Sequence, residues 1–171
     1  MTSGKTPISA LARLLSVGAI LLAAACQESA SGANKERAPM TSPDVRHVSV
    51  AIDRTPREVY EFAARPDNLP RWAQGLAGSI EQVGGEWVAQ SPMGKVKVRF
   101  TDPNTLGVLD HDVTLESGVS VHNPMRVVAR PGGRSEVVFT VFRRPELSDV
   151  EFESDTRAVQ RDLAALKALL E

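Results

Sequence analysis

The sequence predicts an α+β domain in which an antiparallel sheet packs on a long C-terminal helix. Short runs of alternating apolar residues, separated by turn residues, fill the region 78–142 and are typical of consecutive antiparallel strands. The segment 147–171 instead repeats its apolar side chains at helical spacing. A sheet with one apolar face and a helix with one apolar stripe must cover each other, which defines the predicted core.

The first predicted elements are a strand and two short helices. Alternating apolar residues predict a half-buried strand over Val45–Ile52. Thr55 and Glu58 have the spacing of a capping box and predict a helix start, with Pro56 at the first helical position. The stretch 67–76, "DNLPRWAQGL", has apolar residues at helical spacing and predicts a second short helical segment.

Six further strands are predicted after the second helical segment. They are "SIEQV", "EWVAQ", "KVKVRF", "GVLDHDVTLES", "VSVHNPMRVVA" and "SEVVFTVF". Gly84 and Gly85 between the first two are a tight hairpin signal, and the short links between the others indicate a meander. Pro124 lies inside the fifth of these runs, where it is expected to cause a bulge. With the N-terminal strand, the predicted total is seven strands.

The closing helix has the strongest local signals in the sequence. Ser148 and Glu151 form a second capping box. An apolar stripe then follows at alternating steps of four and three residues, as on one face of a long amphipathic helix. Its members are Phe152, Thr156, Val159, Leu163, Leu166 and Leu170.

The element order resembles the helix-grip superfamily, also called START-like or SRPBCC, which includes polyketide cyclases and lipid-transfer domains. The resemblance is carried by the strand, the helices in "TPREVYEFAARPDNLPRW", six strands and the final helix ending "DLAALKALLE", over residues 44–171. It implies a seven-stranded curved antiparallel sheet in the order β-α-α-β6-α, wrapped around the C-terminal helix, often with a cavity for an apolar ligand. The chemistry varies across the superfamily, so the fold alone does not define a function.

Residues 1–25 are predicted to be a secretory signal peptide. A basic start, a short apolar run and the small residues Ala23–Ala25 have the order of such a signal, and the run is too short to span a bilayer. Cys26, the sole cysteine, resembles the modified cysteine of bacterial lipoprotein signals. This resemblance implies lipidation and membrane anchoring. Ordinary cleavage after Ala25 is the alternative, which would leave Cys26 unmodified.

The remaining chain divides into a tether and a folded domain. Residues 26–43 are polar, small and punctuated by proline, so they predict a flexible tether. Residues 44–171 form the predicted domain. Together with the signal, this organisation predicts an exported protein of the periplasm or cell envelope, anchored to a membrane through Cys26.

Composition excludes several classes of function. A formal net charge of −1 lacks the basic surface expected of a nucleic-acid-binding protein. One cysteine cannot form an internal disulfide, and three scattered histidines show no zinc-ligand spacing. No nucleophile elbow, phosphate-binding glycine loop or H-E-x-x-H helix is present, so neither a metal nor a cofactor is expected.

The triplet Asp110-His111-Asp112 is the one stretch that suggests catalysis. On a regular strand, successive side chains point to opposite faces, so His111 faces the apolar side and the two aspartates face away from it. The aspartates are predicted to pair with a basic row on the preceding strand, formed by Lys95, Lys97 and Arg99. His111 is therefore interpreted as a core group or as a polar group in a ligand cavity, with acid–base catalysis a weaker alternative.

Candidate pocket residues are aromatic, methionine and polar side chains that could line a cavity. They are Trp72, Trp87, Met93, Phe100, His111, Met125, Arg126 and Phe139. Aromatic and methionine side chains also fill ordinary cores, and Arg126 could point inward to a ligand carboxylate or outward to solvent.

Three functions are consistent with these observations. The first is binding of a hydrophobic or amphipathic small molecule between the sheet and the C-terminal helix. The second is a cyclase- or hydrolase-like enzyme that uses His111 with Tyr60 or Arg126. The third is an envelope interaction module with a filled core, which meets a protein partner through its basic row.

Overall fold

The computed structural model describes residues 45–171. The predicted signal peptide, Cys26 and the tether lie outside the described residues. In chain order the elements are β1 (Val45–Ile52), α1 (Pro56–Ala63), a 3₁₀ turn (Pro66–Asn68), α2 (Leu69–Trp72), β2 (Ser79–Val83), β3 (Glu86–Ser91), β4 (Gly94–Phe100), β5 (His111–Leu115), β6 (Ser120–Asn123), β7 (Met125–Arg130), β8 (Arg134–Phe142) and α3 (Asp149–Leu170).

The strands form two antiparallel sheets, not the single seven-stranded sheet that was predicted. One sheet has five strands in the order β2-β3-β4-β5-β6, and the other has three in the order β1-β8-β7. The eighth strand arises because the predicted strand through Pro124 is divided. β6 pairs with β5, whereas β7 pairs with β8. Proline has no backbone N–H for a strand ladder, so the pairing changes partner at this residue.

Both predicted capping boxes are present and position the two main helices. The Thr55 hydroxyl accepts from the backbone N–H of Glu58, whose carboxylate accepts from the backbone N–H of Thr55. Ser148 and Glu151 make the same reciprocal pair at the start of α3. These bonds satisfy amide groups that a helix start otherwise leaves unpaired.

The core lies where α3 packs on β1, β8 and α2. The predicted stripe of α3 faces it, with Phe152, Thr156, Leu163 and Leu166 buried and Val159 and Leu170 partly buried against the same cluster. Fully buried side chains from the rest of the domain complete the core, among them Ile52, Val59, Leu69, Leu109, Met125 and Val137.

The segment between β4 and β5 connects the two sheets. The backbone N–H of Leu109 donates to Met125 at 2.9 Å, and that of Val127 donates to Gly107 at 2.8 Å. The predicted strand over 107–117 is therefore regular only within β5. Its first residues pair with β7 of the other sheet instead of continuing beside β4.

Candidate functional site

A pocket of about 470 Å³ opens between α2, β5, β6, the end of β8 and α3. Its walls are mostly apolar, with Leu69 from α2, Val113 and Leu115 from β5, Val121 from β6, Val141 from β8, and Val159 and Leu163 from α3. A concave apolar space of this size is typical of small-molecule sites.

Three exposed apolar side chains contribute to the pocket wall and leave it open to the surface. Met93, Val119 and Phe142 are 59%, 51% and 52% exposed. They come from the β3–β4 turn, the β5–β6 turn and the end of β8. The open side of the pocket therefore carries apolar surface.

His111 forms part of the pocket wall and is only 4% exposed. Its ring lies 4.9 Å from the Phe100 ring and 5.9 Å from the Phe139 ring, measured between centroids. Nδ1 lies 3.1 Å from the carbonyl oxygen of Leu109. A carbonyl only accepts, so Nδ1 carries the hydrogen and Nε2 has the free lone pair. Burial lowers the pKa of His111, which favours the neutral imidazole.

The carboxylates of the two aspartates beside His111 form hydrogen bonds with other residues and not with His111, as the strand geometry predicts. Asp112 accepts from Arg99 at 3.2 Å and contacts His122 Nδ1 at 2.8 Å. The hydrogen bonds from His122 and then Arg99 lower the pKa of Asp112. Asp110 accepts from the backbone N–H of Met125 at 2.9 Å and forms a salt bridge with Arg126.

The predicted basic row opposite the aspartates is formed by Arg99 alone. The β4–β5 register places Arg99 opposite Asp112 but Lys97 opposite Thr114. Lys97 instead forms a salt bridge with Glu86 of β3 at 2.7 Å. Asp110 precedes β5, and its backbone carbonyl accepts from the backbone N–H of Thr101. Asp110 therefore lies next to Thr101, beyond Arg99, which is the last basic residue of β4.

Of the eight candidate pocket residues, four line the pocket and four do not. Trp72, Met93, His111 and Phe139 line the pocket. Met125 is completely buried in the core, and Trp87 lies opposite Val98 in the β3–β4 pair. Phe100 lines a second recess of about 260 Å³, with His111 and the charged residues around Asp112. Arg126 bonds Asp110, so it does not present a free guanidinium to the pocket.

Tyr60, the other suggested partner of His111, has a structural contact. Its hydroxyl accepts from the backbone N–H of Asn104 at 2.9 Å. The Asn104 side chain in turn bonds the backbone of the β4–β5 loop. Tyr60 therefore holds this loop, and it is not among the residues that line the pocket.

The structure adds an acidic group to the pocket that was not predicted. Asp162 of α3 lies in the wall, where its Oδ1 accepts from the Gly75 backbone at 3.4 Å. Burial raises the pKa of Asp162 to about 6, against a smaller opposing effect of the Gly75 hydrogen bond. The indole Nε1 of Trp72 is buried and has no hydrogen-bond partner within the described part of the chain.

A signal for Asp162 was present in the sequence. Position 162 is three residues after Val159 and four before Leu166, so the carboxylate lies within the apolar stripe of α3. An acidic residue in such a stripe indicates a polar group at a buried surface. No comparable local pattern marks the unpaired nitrogen of Trp72.

The described residues contain neither a metal centre nor a membrane-spanning helix. Within 45–171, no group of three or more His, Cys, Asp or Glu side chains could hold a metal ion. No helix in the same range is long and apolar enough to cross a bilayer.

Fold and site together define a helix-grip domain with an apolar pocket between its sheet and its C-terminal helix. Residues 46–171 match the family described as polyketide cyclase/dehydrase and lipid transport. The chain belongs to this family. No curated protein matches the sequence.

Several solved structures have a similar fold at low sequence identity. XoxI from Bacillus cereus is 17% identical with a TM-score of 0.58, covering 74% of this chain and 94% of its own. The Aha1 dimer from Colwellia psychrerythraea is 18% identical with a TM-score of 0.57, covering 74% and 96%. Ara h 8.0201 is 16% identical with a TM-score of 0.54, again covering 74% and 96%. At these identities the similarity shows the fold alone.

Proposed function

We propose that this protein binds an apolar or amphipathic small molecule in the pocket between the sheet and α3. The observation that carries the proposal is the open volume of about 470 Å³, whose walls come from α2, α3 and both sheets. Ligand pockets are mostly apolar and have a few polar groups that orient the ligand. The family description, which includes lipid transport, supports the same class of ligand.

The surroundings of His111 favour binding over catalysis. Acid–base catalysis by histidine requires a second group that orients or activates it. Nδ1 of His111 bonds a backbone carbonyl, and both neighbouring carboxylates bond other cations. The imidazole is thus suited to accept a hydrogen bond from a ligand through Nε2.

We further propose that the domain is exported and held at a membrane through lipidated Cys26. Support comes from the signal-like residues 1–25 and from the position of the sole cysteine directly after them. The exposed apolar residues Met93, Val119 and Phe142 at the pocket would ease passage of a ligand to or from a nearby bilayer. Incorporation of labelled palmitate by cells, lost in Cys26→Ser, tests the anchor.

A pocket-blocking substitution tests the binding function. Ala158 of α3 lines the pocket, whereas Ala164 on the same helix is exposed. Binding of the neutral fluorescent probe N-phenyl-1-naphthylamine to the purified full chain should weaken at least tenfold in Ala158→Phe. Ala164→Phe should bind like the original protein. Equal binding by both variants, or no probe binding to the original protein, would contradict the proposed function.

A further inference from the structure

We propose that the domain docks on the lipid bilayer through an apolar rim, formed by Met93, Val119 and Phe142, so that its pocket opens into the lipid. This assignment rests on the proposed anchor at Cys26 and names the surface of the domain that faces the membrane. Two positions carry it: that of the rim around the pocket, and that of the residue where the predicted tether joins the domain.

The apolar rim surrounds the pocket opening with side chains from three elements. Met93 lies in the β3–β4 turn and Val119 in the β5–β6 turn. Both turns are at the same end of the five-stranded sheet, because β4 and β5 pair antiparallel. Phe142 ends β8 of the other sheet, and all three residues line the one pocket. More than half of each side chain is exposed, so each would gain free energy by leaving water.

The predicted tether joins the domain beside this rim. β1 begins at Val45, and the β1–β8 register places Val45 opposite Phe142. Eighteen residues, 27–44, separate Cys26 from Val45, and a flexible chain of that length has a root-mean-square span of about 20–25 Å. A lipid on Cys26 would therefore hold the Phe142 end of the domain close to the bilayer, and this end carries the rim.

A bilayer fits the apolar rim better than a protein partner does. Three partly exposed side chains around an opening provide less apolar area than the roughly 800 Å² per partner that a stable protein interface buries. Apolar side chains of membrane-surface segments instead enter the boundary between headgroups and acyl chains, to a depth of about 5–10 Å. Insertion of three side chains is weak by itself, but a tether makes it an intramolecular step at high effective concentration.

The charges beside the rim are mixed, so apolar contact should supply most of the affinity. Lys95 follows Met93 by two residues, and Arg143 follows Phe142 directly. Such long side chains can keep their charge at the lipid headgroups while their stems cover apolar surface. Glu116 in the β5–β6 turn adds a negative charge. Docking should therefore not require anionic lipid, and neutral phosphatidylcholine is a sufficient test surface.

Quenching of a fluorescent label by brominated lipid tests the docking surface. The protein is purified from the membranes of expressing cells and reconstituted into vesicles of phosphatidylcholine, either plain or brominated on its acyl chains. Because Cys26 is the sole cysteine and its thiol would carry the lipid, an engineered cysteine would be the only thiol that reacts with monobromobimane. The unsubstituted protein should take up no label.

Val119→Cys places the label on the rim, and Val83→Cys is the matched control. The two valines are 51% and 52% exposed, but Val83 does not line the pocket. Val83 ends β2 at the β2–β3 hairpin, which lies at the opposite end of β3 from Met93. The two labels therefore report on opposite ends of the same sheet.

The label at position 119 should be at least about twofold dimmer in brominated than in plain vesicles, as expected for a group at the acyl-chain boundary. The label at position 83 should be equally bright in both. Adding Phe142→Ser to Val119→Cys should remove most of the quenching, because it removes part of the rim. Adding Leu106→Ser should not, since Leu106 is 78% exposed but lies outside the pocket.

Two results would overturn the inference while leaving the pocket and the anchor intact. One is equal quenching, or none, at positions 119 and 83. The other is an unquenched label at position 119 together with disulfide-linked dimers of unlabelled Val119→Cys on the vesicles, which would show that a second copy covers the rim. If the original protein incorporates no palmitate, the proposed anchor fails and the inference fails with it, whereas probe binding tests the pocket separately.

Discussion

The imidazole of His111 packs against the ring of Phe100 at a centroid distance of 4.9 Å, directly opposite it in the β4–β5 pair. This contact turns the histidine toward the interior while Asp112, the next residue, bonds Arg99 and His122 on the other face. The triplet that suggests catalysis in the sequence is thus divided between two faces of one sheet. Its histidine belongs to the pocket and its aspartates belong to surface and inter-sheet contacts.

Burial of His111 should make the stability of the protein depend on pH. The pKa of His111 is lowered in the folded state, whereas an unfolded histidine titrates near about 6.5. The unfolded chain therefore binds a proton that the folded chain does not, and the free energy of unfolding falls as the pH drops below about 6.5. In urea unfolding between pH 7.5 and pH 5, the free energy of unfolding of His111→Gln should fall less steeply than that of the original protein. An unchanged slope would show that His111 is not buried as described.

Asp162 should affect the pH dependence of stability in the opposite direction. Its pKa is raised to about 6 from an ordinary value of 3.8, so the folded state binds the extra proton, and stability falls as the pH rises through this interval. At pH 8, Asp162→Asn should be more stable by about 1 kcal/mol. The full pKa difference corresponds to about 3 kcal/mol, and solvent screening of a partly exposed carboxylate reduces it.

The advantage of Asp162→Asn should mostly disappear near pH 4, where the aspartate is protonated in the folded state and partly protonated in the unfolded state. The control is Asp155→Asn, on the same helix and in the same pocket wall. It should not gain stability at pH 8, because the Asp155 carboxylate lies 4.0 Å from Arg144. An Asp162→Asn variant that is no more stable than the original protein at pH 8 would argue against a desolvated carboxylate.

Gly107 should be intolerant of alanine because it lies where the two sheets approach each other. Its φ is +72°, and an added Cβ would clash with the carbonyl oxygen of Val127. Gly84 in the β2–β3 hairpin also has a positive φ, +59°, but an added Cβ would meet nothing within 4 Å. Thermal or urea unfolding should therefore show a loss of about 1 kcal/mol in Gly84→Ala, from the backbone alone. Gly107→Ala should lose at least about 3 kcal/mol, and equal losses would contradict this account.

The two aspartates of the triplet should differ in their effect on stability. The Asp110 side chain is 16% exposed and bonds both Arg126 and the Met125 backbone across the sheet junction. Its removal in Asp110→Ala leaves the Met125 N–H without its acceptor and the Arg126 guanidinium without its counter-ion, and should cost about 2 kcal/mol. Asp112 pairs with exposed Arg99 and His122, so Asp112→Ala should cost less than about 1 kcal/mol. Equal costs in urea unfolding would mean that Asp110 is not a junction residue.

Local patterns were sufficient to predict the helices and most strands. Thr55 with Glu58, and Ser148 with Glu151, interact only within one helical turn, so their spacing alone predicted both helix starts. The division of the strand at Pro124 was not predictable in the same way. A proline can cause a bulge, an edge or a change of sheet, and the outcome depends on pairing with β5 and β8, which are distant in sequence.

The pocket was predictable in outline and not in its polar detail. The alternation of side chains along the strand predicted that His111 faces the interior and that Asp112 faces the polar side of the sheet. It could not separate Phe139, which lines the pocket, from Met125, which lies directly opposite it in the β7–β8 pair and is fully buried. That difference depends on how α3 covers the sheets. The placement of Asp162 beside Gly75 likewise depends on packing between α2 and α3.

Intermolecular nuclear Overhauser effects can show whether a ligand enters the open apolar pocket between the sheet and α3. With N-phenyl-1-naphthylamine bound to the isotope-labelled full chain, we expect contacts from the probe to the methyl groups of Val121 on β6 and Leu163 on α3. Contacts confined to exposed apolar residues outside the pocket, such as Leu106 and Val150, would contradict it.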